Sequence, residues 1–142
     1  MTGILWSIIA GAAMSVQGVM NTRLGEGIGT WHANAFVQST AAALSLAALL
    51  FVKDGSFARL GDTNKWYWLG GVLGLVITIT VMLGIKSLSP TVAISVILIS
   101  QLLVAALIDA FGLMGSEKLA FGWTKFLGLG LMIGGVLLFK KT

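Results

Sequence analysis

The chain has 142 residues, of which 57% are hydrophobic and 10% charged, where soluble domains carry roughly 25% charged residues. With a mean hydropathy of +0.98, this composition excludes an ordinary soluble domain and points to a bilayer. The absence of cysteine excludes a disulfide scaffold and thiolate metal sites. The net charge of +4 is no nucleic-acid signal, because the Lys and Arg residues are scattered between apolar segments, where they meet lipid headgroups.

Five segments are long and apolar enough to cross about 30 Å of hydrocarbon at about 1.5 Å per residue: residues 3–22, 33–52, 66–85, 91–111 and 121–139. The first, opening "MTGILWSIIAGAAM", has no Lys or Arg before Arg23. A secretory signal carries a basic region ahead of its apolar core, so the segment reads as a retained helix, with a cleaved signal as the alternative. "LGEGIGTWH" (Leu24 to His32) reads as a Gly-rich turn into the second segment, and "KDGSFARLGDTNKW" (Lys53 to Trp66) as the one long polar loop. In "KSLSP" (Lys86 to Pro90), Ser89 is placed to cap the fourth helix and Pro90 to open it. "FGLMGSEK" (Phe111 to Lys118) is a further Gly-bearing turn. The fifth segment reaches a full span only if Phe121 to Lys125 joins the helix and Lys125 snorkels outward. Trp6, Trp31, Trp66, Tyr67, Trp68 and Trp123 fall near the expected helix ends, as an interfacial aromatic belt requires. The whole of 1–142 is expected to be one all-α membrane domain.

With five spans, Lys53, Arg59, Lys65, Lys118 and Lys125 share one side of the membrane, and Arg23, Lys86, Lys140 and Lys141 the other. Orientation follows a Lys and Arg bias between loops, and five against four is almost none. The expectation is a chain that inserts both ways and pairs as an antiparallel homodimer of ten helices; a fixed topology is the alternative.

Catalytic constellations are absent from the sequence: there is one His and no Cys, and no nucleophile–base pair falls in a span. His32, beside Trp31, suits an interfacial polar residue. "GLGLMIGG" (Gly128 to Gly135) lacks the preceding strand and following Lys of a phosphate loop. Neither a metal nor a cofactor is expected. Small residues instead serve close helix approach in lipid: Gly70 and Gly74 with Thr78, Gly130 and Gly134, and the first-segment stripe of Ser7, Gly11, Ser15, Gly18 and Thr22.

The amides ask for more. Gln17 and Asn21 share a face of the first helix, and Asn34 and Gln38 a face of the second, four residues apart in each case. On the fourth, Gln101, Ala105 and Asp109 form a stripe. Buried amides are costly unless paired, and intramembrane polar groups face a bundle interior or a wet cavity. Two readings stand: Gln17, Asn21, Asn34, Gln38 and Gln101 line one polar chamber that binds a small solute, or they bond helix to helix with no ligand. Asp109 sits at the end of its span, where an acid opposes the helix dipole. It is either an interfacial anchor or an ion-coupling group.

Three stretches, "AGAAMSVQGVMNTRLG", "SPTVAISVILISQLLVAALIDAFGLMG" and "LGLGLMIGGVLLF", resemble the YdcZ-type family, a five-helix branch of the drug/metabolite transporter (DMT) superfamily. The resemblance covers essentially the whole chain, and the fourth-segment pattern with Gln101 and Asp109-Ala-Phe-Gly112 is its most specific part. It implies small inner-membrane proteins acting in oppositely oriented pairs. The superfamily's small multidrug exporters depend on a glutamate in mid-first-helix; this chain has Gln17 there and no acid until Glu26, which argues against exchange through a central carboxylate.

The function expected is secondary transport of a small organic solute by alternating access, the chamber lying between inverted halves. The alternatives are a dual-topology ion channel and a non-transporting helper subunit; an enzyme is not expected. The partners expected are the lipid bilayer, a second copy of the chain and an unnamed small molecule, not nucleic acid.

Overall fold

A computed structural model describes residues 2–118 and 122–140. Its regular elements are five α-helices, α1 (Thr2–Ile28), α2 (Thr30–Ala48), α3 (Gly70–Ser87), α4 (Pro90–Phe111) and α5 (Trp123–Lys140). Among the described residues, four helical stretches have the length and apolar character to cross a membrane: Thr2–Ile28, Lys65–Ser87, Pro90–Phe111 and Trp123–Lys140. The protein is therefore an all-α, multi-pass membrane protein. The expected second span, α2, falls outside that group. It has 19 residues, and Thr30, His32, Asn34, Gln38, Ser39 and Thr40 crowd its N-terminal part.

Boundaries moved where the sequence was ambiguous. The expected turn at 24–32 shrinks to a single residue, because α1 runs on through Ile28. Arg23 Nη1 and Glu26 Oε2 pair at 2.9 Å across one helical turn, a spacing that supports helix. Gly29 makes the break with φ 91 and ψ 144, backbone open in practice only to glycine. At the far end α2 stops at Ala48 instead of Val52, and Lys53 to Trp66 includes a 3-10 turn, Phe57–Asp62. A second 3-10 turn, Lys65–Leu69, leads into α3. Asn64 caps it by accepting from the Trp66 N–H at 3.1 Å. Ser89 caps α4 as expected, its hydroxyl accepting from the Val92 N–H at 3.4 Å with Pro90 at the helix start. Gly112, left-handed at φ 62, ends that helix. In the last segment Trp123 to Lys125 do join α5, while the expected start at Phe121 lies outside the described residues.

The chain forms two compact units, residues 1–84 and residues 85–142. In the first, three contacts fix the helix directions. A Cβ built on Gly25 of α1 would stand 2.6 Å from Met82 Cε of α3 and 3.8 Å from Ala33 Cβ of α2. One layer away, Asn21 of α1 lines a cavity with Thr78 of α3, and Thr78 meets Gln38 of α2. Going from the first layer to the second, residue numbers fall along α1 and α3 and rise along α2. Hence α1 and α3 run the same way and α2 opposes them. In the second unit α4 and α5 pack on each other. Large apolar side chains such as Trp6, Leu44, Val72, Leu103 and Leu131 stay exposed, as contact with lipid tails requires.

Nine of the hydroxyls within the helices are satisfied locally. Ser7, Ser15, Thr22, Thr40, Ser45, Thr78, Thr80, Ser95 and Ser100 each donate to the carbonyl four residues back, at 2.7–3.0 Å. Such back-bonding lets a hydroxyl sit in hydrocarbon without a partner on another helix. Asn and Gln in a helix have no equivalent among these bonds, and this difference singles out the site.

Candidate functional site

In the first unit the amides expected from the sequence gather on α3. Gln17 and Asn21 of α1 line a small cavity of about 50 Å³ together with Met14, Gly18, Ile77, Thr78 and Val81. On the other side of Thr78, Gln38 of α2 donates from Nε2 to Thr78 Oγ1 at 3.5 Å, the long limit of a hydrogen bond. The Thr78 hydroxyl in turn donates to the Gly74 carbonyl at 2.9 Å. The relay fixes the Thr78 oxygen as an acceptor and holds Gln38 only loosely.

Burial differs sharply along these faces. Asn21 is 7% and Asn34 3% exposed, whereas Gln38 is half-buried and Gln17 exposed. Asn34 Oδ1 is buried with no hydrogen-bond partner. An unpaired buried acceptor loses the full free energy of desolvation, about 1–3 kcal/mol. Asn34 lies one helical turn from Gln38, between the Gly25 layer and the Thr78 layer. Gln17, Asn21, Asn34 and Gln38 thus occupy neighbouring levels of the first unit; Gln17 and Asn21 line a cavity with Thr78 and Gln38 bonds to it. Thr78 was read from the sequence only as part of a packing stripe. Its position four residues from Gly74, on an otherwise apolar helix, was the one signal available.

Gln101 and Asp109 belong to the second unit. Gln101 is exposed on α4, in the second unit, and is not among the residues lining the cleft described next. Asp109 is half-buried and lines a cleft of about 400 Å³ between α4 and α5, with Leu102, Ala105, Ala106, Lys125, Gly128, Leu129 and Met132. The cleft is apolar apart from Asp109 and Lys125, which stand at the linked ends of the two helices. The glycines read as packing residues differ too. A Cβ on Gly74 would lie 3.7 Å from Gln38 Nε2, but Gly70, Gly130 and Gly134 have no atom that close. Among the described residues no group of His, Cys, Asp and Glu has the makings of a metal site.

Membrane-crossing helices with polar groups gathered between them define an integral membrane protein with a polar site inside one of its helical units. The chain matches the family described as "Putative inner membrane exporter, YdcZ" over residues 2–138 and belongs to it. No curated protein and no solved structure matches the chain.

Proposed function

We propose that the protein is a secondary transporter of a small organic solute, and that the amides around Thr78 form part of its binding chamber. One observation carries the reading: Gln17, Asn21 and Gln38 gather at Thr78 from two helices. Polar side chains inside a membrane are costly and mark solute paths. In this reading α2 is a fifth span whose polar half faces the chamber. Two copies inserted in opposite orientations supply inverted halves for alternating access. The near-even Lys and Arg balance supports dual insertion, and the open space beside Gly130 and Gly134 suits a face for the second copy. Asp109, across its cleft from Lys125, is the proposed coupling group.

The test is solute flux in liposomes containing the purified protein. Gln38→Leu and Asn21→Leu are expected to lower saturable flux about tenfold or more, the loss typical when a hydrogen bond to substrate is removed. Unchanged flux in both variants would return the amides to a helix-bonding role.

A further inference from the structure

The cleft of the second unit lies apart from the amides, and its shape and charges fit a ligand of another kind. We infer that the cleft between α4 and α5 holds a membrane phospholipid whose headgroup carries a primary ammonium. The ammonium pairs with Asp109, the phosphate with Lys125, and part of one acyl chain lies below them. The lining forms two matched faces. Asp109, Ala106, Ala105 and Leu102 descend α4 at intervals of three, one and three residues, and Lys125, Gly128, Leu129 and Met132 climb α5 at the same intervals. Each set is one helix face over about two turns, roughly 10 Å long. The two helices pack on each other, so the matched spacing is that of an antiparallel hairpin with Asp109 across from Lys125. Small residues at the middle levels, Ala105, Ala106 and Gly128, leave the gap unfilled: a Cβ on Gly128 would meet no atom within 4 Å. A cleft of about 400 Å³, apolar with a few placed polar groups, has the character of a ligand site.

Charge selects the headgroup. Asp109 stands two residues before the end of α4 at Phe111, and Lys125 two residues after the start of α5 at Trp123. At the ends of two membrane-crossing helices, both lie at headgroup depth, where the exposed Trp123 also belongs. Asp109 is half-buried, yet among the described residues it has no ion-pair partner within 4 Å. Its carboxylate sits at a helix C-terminus, where the dipole favours a cation. A primary ammonium brings that charge and three N–H donors to an acceptor-only group; a quaternary ammonium brings the charge alone. On the α5 side, Lys125 and the helix N-terminus favour an anion, which the phosphate of the same headgroup supplies. An anionic headgroup without an ammonium would instead set a second negative charge beside Asp109. Deeper in, Leu102, Ala105, Leu129 and Met132 offer only apolar contact. A charged end at the bilayer surface and an apolar length in hydrocarbon reproduce the layout of a phospholipid. The inference does not depend on transport; a coupling ion at Asp109 would compete with the ammonium.

Purified full-length protein, stripped of lipid in detergent, tests this with dioleoyl phosphatidylethanolamine, phosphatidylcholine and phosphatidylglycerol. Native mass spectrometry counts the lipid retained, and melting curves read the stabilisation that binding brings by mass action. One phosphatidylethanolamine per chain should bind at least about tenfold tighter than either other lipid, the worth of one hydrogen bond to a charged group. Asp109→Asn should erase the preference over phosphatidylcholine. Gly128→Leu, which puts a side chain into the open space of the cleft, should lose the lipid. The lipid-free melting temperature identifies a variant that fails to fold, and in that event the three lipids on the unaltered chain decide alone. Equal binding of the three lipids, or tighter binding of phosphatidylglycerol, would overturn the inference. So would a folded Asp109→Asn chain that keeps the preference or a folded Gly128→Leu chain that keeps its lipid. Gly128→Cys, in a chain with no other cysteine, should form no disulfide between copies in phosphatidylethanolamine liposomes. A disulfide-linked pair would also overturn the inference and give the cleft to a second copy.

Discussion

At the scale of single residues, the deciding contrast is between hydroxyls and amides. Thr78 and Gln38 illustrate it in one contact: the hydroxyl is satisfied by the Gly74 carbonyl at 2.9 Å, while the amide depends on the hydroxyl at 3.5 Å. Thr78→Val keeps the shape and deletes the acceptor. It should destabilise the purified protein by about 1 kcal/mol, the net worth of an ordinary hydrogen bond, whereas Thr78→Ser should restore the wild-type value. Chemical denaturation in detergent reads the difference, and equal stability of the Val variant would mean that the 3.5 Å contact contributes nothing. Which amides share a helix face was legible from four-residue spacing. Which hydroxyl they would meet was not, because spacing within α1 and α2 carries no information about how α3 is rotated against them. Asn34 is a similar case: its face was legible, its orphaned oxygen only in three dimensions.

At the scale of elements, most helices declared themselves through apolar length and capping. Ser89 and Pro90 fixed the start of α4 in advance, since a hydroxyl before an N-terminal proline satisfies a free N–H where the ring needs none. The α1–α2 junction was harder. "LGEGIGTWH" has the glycine content of a loop, yet the Arg23–Glu26 pair helps continue the helix and leaves the reversal to Gly29 alone. Gly29→Ala should therefore cost about 1–3 kcal/mol, the usual penalty for a side chain in such a backbone conformation. Gly27→Ala, inside α1 with open space around it, should be neutral or slightly stabilising. Melting curves of the two variants make the comparison; equal losses would contradict a one-residue hinge. A tighter constraint sits at Gly25, where a Cβ would press within 2.6 Å of Met82 Cε. The methionine end can swing away, so a side chain at position 25 is accommodated by moving Met82 rather than the helices.

At the scale of the whole molecule, the question is orientation. Transport by inverted halves predicts that a reporter fused to the C-terminus reads both sides of the membrane. Adding two lysines to the loop at 53–65 should then collapse the signal to one side, because the loop bias alone sets insertion. A single-sided signal from the unaltered chain would remove the antiparallel pair. By itself the sequence determined the solvent, the approximate position of four spans, the near-balance of charge and the resemblance to a transporter family. These follow from composition and from periodicity along one chain, which the cost of unpaired backbone in lipid enforces. Only the tertiary structure decided that Gln17, Asn21 and Gln38 converge on Thr78, that Asn34 keeps a buried oxygen unpaired, and that Asp109 shares its cleft with Lys125. Those facts depend on how helices are rotated and stacked against one another. In lipid that is set by close packing and by a few polar contacts between distant residues, which no pattern along a single helix encodes.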